Sequence, residues 1–170
     1  TESAKLSAVR MPLLEIFITE FLRTVEHIVK RGLRSDYRQR QDNLFALRGK
    51  LLVSQNLRQN LFRADRFFTE HDEFSTDRSE NRLLRAALRR VLMLAKTQAN
   101  QRLARELDFV FAEVQASTQI QIDFQKVRLD RGMGYYAEAL EWARLILNEE
   151  SPLTGSGNHV APSLLFPMEA

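Results

Sequence analysis

Residues 34–53, Arg-Ser-Asp-Tyr-Arg-Gln-Arg-Gln-Asp-Asn-Leu-Phe-Ala-Leu-Arg-Gly-Lys-Leu-Leu-Val, interrupt a helical rhythm that the chain keeps on both sides of them. The stretch 34–43 is almost wholly polar. Leu44–Val53 then mixes alternating apolar positions with a central Arg48-Gly49-Lys50, the pattern of extended chain around a glycine bend or bulge. A second candidate strand runs over Arg66–Phe74, separated from the first by the polar tract Gln55–Asp65. Together these segments predict a β-rich excursion of about 45 residues.

Upstream, Leu14, Phe17, Phe21, Val25 and Ile28 recur every three or four positions, as one buried helix face requires. Pro12 suits the first turn of that helix, Lys30 and Arg31 complement the negative end of its dipole, and Gly32 can take the left-handed conformation that ends it. Downstream, Asp77 and Glu80 have the spacing of a capping box, and Leu84, Ala87, Leu88, Val91 and Leu92 form a second stripe from near residue 78. A third stripe is Leu103, Leu107, Val110, Phe111 and Val114, and a fourth is Tyr135, Ala139, Trp142 and Ile146. Residues 115–131 are too irregular to assign, with a short strand or a loop both open. Glu149–Pro162 gathers Pro, Gly, Ser and Asn as a linker does, and Leu164–Met168 reads as the start of another element. The expected fold is α+β: a mainly helical body from 1–33 and 78–148, a β-rich finger-like insertion at 34–77, and a linker into a further, truncated domain at 149–170.

Composition narrows the function. Apolar residues at 44% and charged residues at 28% describe an ordinary globular chain. No apolar run approaches the roughly 20 residues that span a bilayer, and residues 1–10 lack the apolar core of a secretory signal. The expectation is a cytoplasmic protein with no membrane role. Cysteine is absent, which excludes disulfides, thiolate metal sites and a thiol nucleophile. The net charge is only +3, yet 20 of the 25 basic residues are arginine, whose planar fork suits phosphate and carboxylate.

Several chemistries lack their residues. A magnesium-dependent restriction nuclease of the common type places an acid two positions before a lysine, so that metal and water are held against the phosphate. Lys5, Lys30, Lys50, Lys96 and Lys126 are preceded at that position by Ser3, Ile28, Arg48, Leu94 and Phe124, none of them acidic. His27, His71 and His159 lie too far apart in sequence for the usual zinc spacings. Glu70, His71, Asp72 and Glu73 are either a hard-cation cluster or, more commonly for such a run, a solvated one. Six glycines form no phosphate-cradling loop, and Gly132-Met133-Gly134 reads as a helix-entry turn. No cofactor and no catalysis are expected of this segment by itself.

What remains is positive charge around a glycine. Arg48 and Lys50 flank Gly49, a flexible backbone point, and Arg34, Arg38, Arg40, Arg58, Arg63 and Arg66 add cations to the same excursion. Such a finger attracts acidic or phosphate-bearing partners. The same arginines also serve to keep an exposed ribbon soluble and unpaired at its edges. Arg82, Arg85 and Arg89 share a helix face, open to nucleic-acid phosphates, to acids on a neighbouring helix, or to solvent. Tyr135, Tyr136 and Trp142 have the chemistry of a base-stacking platform, but the fit of Tyr135 and Trp142 to the helical stripe favours core packing.

The ordered series Arg31-Gly32-Leu33, Asp36-Tyr37, Leu47-Arg48-Gly49-Lys50 and Glu80-Asn81-Arg82-Leu83-Leu84 resembles the McrC family. So do Asp123-Phe124, the Tyr135-Tyr136 pair and Leu164-Leu165-Phe166-Pro167-Met168-Glu169, so that the resemblance runs the length of the chain. It implies a partner subunit of an McrB-like AAA+ GTPase hexamer in a system that cleaves DNA containing modified cytosine. It further implies an amino-terminal β finger that enters the pore of the ring and stimulates hydrolysis. The full-length parent would be a PD-(D/E)xK endonuclease subunit, with DNA reached through the full complex and Mg2+ used by a carboxy-terminal nuclease domain beyond this segment. Arg48, Gly49 and Lys50 occupy the family's basic-Gly-basic motif and are the first candidates for partner contact, with Arg58 and Asp42 following. The alternative is an arginine-rich nucleic-acid-binding module, whose affinity would fall steeply with salt.

Overall fold

In the computed structural model, which describes residues 2–148 with side chains at Lys5 and from Pro12 onward, the elements run in chain order as follows. They are α1 (Glu2–Arg31), β1 (Asp36–Leu44), β2 (Lys50–Leu51), α2 (Val53–Asn60), β3 (Phe67–Ser75), α3 (Ser79–Leu94), α4 (Gln98–Val110), α5 (Ile120–Lys126), a 3-10 turn Gly134–Tyr136 and α6 (Ala137–Leu147). This is a mainly helical α+β fold. The expected linker Glu149–Pro162, the apolar Leu164–Met168 and His159 lie outside the described residues. Contacts divide the described residues into two compact units, one of Ser35–Thr76 and one of the residues up to Arg34 with those from Asp77 to Asn148.

In the helical unit the apolar stripes become the core. Ile18, Phe21, Leu22, Val25 and Ile28 of α1 are fully buried, as are Leu83, Leu84, Ala87, Leu88 and Val91 of α3. α3 packs on α4, α5 and α6, while α1 packs on α4 and α6. Each large side chain removed from water in this way contributes about 1.5–3 kcal/mol. Lys30 and Arg31 close α1, and Gly32 takes φ +96°.

Three local expectations give way. Pro12 lies inside α1 instead of opening it. Residues 2–11 include the strong helix formers Ala4, Lys5, Leu6, Ala8, Arg10 and Met11, and propensity carries the helix past a proline that forfeits one backbone bond. α5 replaces the strand or loop left open at 115–131. Its most buried residue is Asp123, bonded to Ser79 Oγ at 3.4 Å and to Ser117 Oγ, while Ile120, Phe124 and Val127 pack half-buried against the core, a stripe too short to stand out in the sequence. The N-cap of α3 is Arg78, and Glu80 takes the Arg78 guanidinium (Nε to Oε2, 2.8 Å) and the Arg128 N–H (2.7 Å). Asp77 accepts two bonds from Arg82, at 2.7 and 2.8 Å.

A buried hydrogen-bond network sits where the chain leaves and re-enters this unit. The Arg34 N–H donates to the Tyr136 hydroxyl (2.8 Å), that hydroxyl donates to Asn81 Oδ1 (2.8 Å), and Asn81 Nδ2 donates to the Arg34 carbonyl (3.0 Å). Burial pushes the Tyr136 phenol up to about 12, so it stays a neutral donor at any ordinary pH.

Burial by itself would raise the Glu80 pKa, but the bonds from Arg78 and the Arg128 N–H outweigh it and hold the carboxyl below its ordinary 4.5. A carboxylate depressed in the folded state contributes stability that is present above the unfolded pKa and lost as pH falls through the folded value. Glu80→Gln should therefore lower stability at pH 7 by about 2–4 kcal/mol. In urea denaturation the gap to wild type should close as the pH is taken below about 4. A gap independent of pH would contradict this account of Glu80.

Candidate partner-binding site

The Ser35–Thr76 unit is built on a three-stranded sheet of order β1-β3-β2. β1 and β3 pair antiparallel over their whole length, from Asp36 opposite Ser75 to Leu44 opposite Phe67. Opposed residues share a face. One face therefore carries Arg38, Arg40 and Asp42 with Thr69, His71 and Glu73, and the other carries Tyr37, Gln39 and Gln41 with Glu70, Asp72 and Phe74. Polar side chains bond across both faces. Arg40 meets Glu73 at 2.9 Å, and Gln39 and Gln41 both donate to Glu70, at 3.0 and 3.1 Å. The bond from Arg40 holds the Glu73 carboxyl below its ordinary range, and His71 and Arg48 add to the effect.

Strand alternation also decides the acidic run. Glu70 and Asp72 point to the face opposite His71 and Glu73, so the four do not converge. Among the described residues no group of three or more His, Cys, Asp or Glu side chains is placed to hold a metal ion. His71 is buried, with Nε2 3.7 Å from Asp42 Oδ2.

Arg48-Gly49-Lys50 runs along the other edge of β3, where Lys50 stands opposite Glu70 and Leu51 opposite Thr69. The Leu52 N–H extends the ladder to the Phe68 carbonyl at 2.9 Å. Gly49 is not a free hinge. It holds φ +72°, and a Cβ there would come within 2.4 Å of the Glu70 carbonyl oxygen and 2.9 Å of His71 Cα. Only glycine allows that approach at that φ. The fixed backbone displays Arg48 and Lys50 to solvent, both exposed. Asp42 and Gly49 thus approach His71 from opposite edges of β3. Arg58 stands apart on the last turn of α2, exposed, with no ion pair among the described residues.

The sequence-based expectation of a polar tract at 55–65 missed α2. This helix meets the sheet through amides. Asn60, buried, exchanges hydrogen bonds with Asn43 (2.9 and 2.8 Å) and donates to Asn56 (2.8 Å), whose Oδ1 accepts from the Phe68 N–H (3.0 Å). Its apolar residues stay exposed: Val53 at 60%, Leu57 at 59% and Leu61, just past its end, at 65%. Phe45 and Leu47 before the helix and Phe62 after it, at 95%, extend the exposed apolar surface. The i, i+4, i+8 spacing of Val53, Leu57 and Leu61 was the available signal.

The other arginine and aromatic candidates belong to the helical unit's own packing. Arg82 pairs with Asp77, and Arg85 and Arg89 pair with Asp108 at 3.5 and 3.2 Å, so neighbouring acids take this face. Tyr136 is fully buried and Trp142 nearly so, while Tyr135 lies under the Arg31 guanidinium at 4.5 Å.

Comparison with known proteins places these features in a lineage. The family model for McrBC 5-methylcytosine restriction system component matches residues 1–170. A chain of the cryo-EM structure of the Thermococcus gammatolerans McrBC complex is similar at 28% identity and a TM-score of 0.70, over 78% of this chain and 40% of that one. A chain of the refined half-complex from the tetradecameric assembly of Thermococcus gammatolerans McrB AAA+ hexamers with bound McrC is similar at 28% identity and a TM-score of 0.69, over 78% of this chain and 32% of that one. The chain therefore matches less than half the length of either. No curated protein matches it.

Gly49→Ala should weaken the small unit, since a left-handed φ costs a non-glycine residue roughly 1–3 kcal/mol before any clash. Hydrogen exchange should show faster loss of protection at the Thr69 and Glu70 amides and unchanged protection in α3. Wild-type exchange at those amides would show that the close approach is not a constraint.

Proposed function

The chain belongs to the McrBC 5-methylcytosine restriction system component family, and from that premise we propose that it is an McrC-type subunit whose Ser35–Thr76 unit engages an McrB-like AAA+ GTPase hexamer and stimulates its GTP hydrolysis. In this reading residues 1–33 and 78–148 are a helical body, 34–77 is the finger that the ring receives, and 149–170 is a linker into a nuclease domain. DNA cleavage, the PD-(D/E)xK chemistry and its Mg2+ then belong to that domain of the parent, which meets DNA through the full complex in the cytoplasm. The segment itself contributes no bond-making atoms.

One observation carries the proposal: a separately packed unit holds Arg48 and Lys50 exposed on either side of a glycine seated too close to β3 for any side chain. Docking costs Arg48 and Lys50 rotamer freedom, roughly 0.5–1.5 kcal/mol for each side chain, but a backbone already seated against β3 adds little further ordering cost. Arg48, Gly49 and Lys50 are the proposed contacts, followed by Arg58 on the last turn of α2 and Asp42 on β1. The mechanism is selection of a conformation: donors on the finger bind best to the ring arrangement whose groups are already aligned on nucleotide, and so raise its population. The rival reading, an arginine-rich nucleic-acid module, is weakened by the carboxylate partners that Arg82, Arg85 and Arg89 already have.

The test is GTP turnover by the cognate ring with the full chain, compared with Arg48→Ala and Lys50→Ala. Each variant should lower stimulation roughly tenfold, the scale of a lost charged hydrogen bond worth ~1.5 kcal/mol. Unchanged stimulation by both, with β3 amides still protected, would overturn the assignment of these residues.

A further inference from the structure

α2 is oriented against the usual economy of a surface helix. An amphipathic helix normally buries its apolar stripe and leaves its amides in water. Here Asn56 and Asn60 are spent on the sheet, while Val53, Leu57 and Leu61 are each more than half exposed, and Phe62 is almost wholly so. Exposed apolar residues scattered singly need no explanation, but a contiguous set on one helix marks a surface that something covers.

The charge around the set describes the cover. Residues 45–66 contain Arg48, Lys50, Arg58, Arg63 and Arg66 and a single acid, Asp65. The unit's other acids, Asp36, Asp42, Glu70, Asp72 and Glu73, all lie on β1 and β3. The segment that carries the apolar stripe is thus basic, and the unit's carboxylates lie mainly on the two long strands. An aliphatic row of Val and Leu gains little from nucleic acid, which needs stacking faces and phosphate contacts. Of the two aromatic residues nearby, Phe45 already carries the Arg66 guanidinium over its ring at 4.2 Å. Anchors at i, i+4 and i+8 on a short helix suit an apolar groove in a protein.

We propose that the Val53, Leu57 and Leu61 stripe, extended by Phe62, docks into an apolar groove with an acidic rim on the ring that this chain engages. The proposal rests on the reading given under the proposed function and adds to it the surface that supplies affinity, as distinct from the Arg48-Gly49-Lys50 segment that biases hydrolysis.

The experiment measures binding of the full chain to the cognate McrB-like hexamer held with a non-hydrolysable GTP analogue. Because the three side chains are exposed, a Val53→Ser, Leu57→Ser, Leu61→Ser combination should leave circular dichroism and β3 amide protection unchanged while weakening ring binding about tenfold or more. The single variants Leu57→Glu and Leu57→Lys test the rim with minimal risk to folding, and the acidic substitution should lose more affinity than the basic one. Wild-type affinity in the triple variant overturns this inference and leaves the ring reading standing. Equal losses for Leu57→Glu and Leu57→Lys overturn the acidic rim. Failure of the wild-type chain to bind the ring removes both proposals together. A triple variant that keeps ring binding and loses affinity for duplex DNA overturns the proposal in favour of a nucleic-acid surface.

Discussion

A buried phenol ties the point where the chain leaves the helical unit to the helix on which it returns. Tyr136 accepts from the Arg34 N–H and donates to Asn81, which in turn donates to the Arg34 carbonyl. Tyr136 and Asn81 are fully buried, in low dielectric, where a satisfied network is strong and an unsatisfied member is costly. Closing a loop between residues 34 and 81 costs entropy that grows only slowly with its length. The network offsets that cost and lets the intervening residues pack as a unit of their own. The Arg78–Glu80 pair beside it, with the Arg128 N–H, anchors the first turn of α3 in the same way.

Legibility in the sequence followed what each element buries. α1, α3, α4 and α6 bury aliphatic and aromatic side chains at helical spacing, and that period is visible in the residues themselves. β3 was legible for a related reason, as a bounded run with Phe67, Phe68, Thr69 and Phe74. β1 was not, because both of its faces are polar: Arg38, Arg40 and Asp42 lie on one, Gln39 and Gln41 on the other. Its pairing shows only when Glu70 and Glu73 are placed opposite. α2 was hidden by the same cause, since Asn56 and Asn60 are the side chains it turns to the sheet, whereas α5, a helix of seven residues, packs Ile120 and Phe124 on the core over less than two turns, too short for a period to show.

The candidate site was partly legible. Arg48-Gly49-Lys50 stood out as cations around a glycine, but its local pattern suggested a flexible bend. In the fold that glycine is seated against Glu70 and His71, and the cations beside it are displayed from a fixed backbone. The apolar row on α2 has the correct spacing but lies inside a tract dominated by Gln, Asn and Arg, which masks it. Charge and apolar surface occupy neighbouring parts of one small unit, which suits a division between biasing a partner's chemistry and holding on to it. No helix among the described residues is long and apolar enough to cross a membrane.

The central claim is that residues 45–62 form the surface the ring takes up. Hydrogen exchange on the full chain, with and without the cognate hexamer bound to a GTP analogue, measures this most directly. The account predicts new protection concentrated in residues 45–62, with the amides of α3 and α6 unchanged. Protection gained in those helices while residues 45–62 exchange as in the free chain would contradict it.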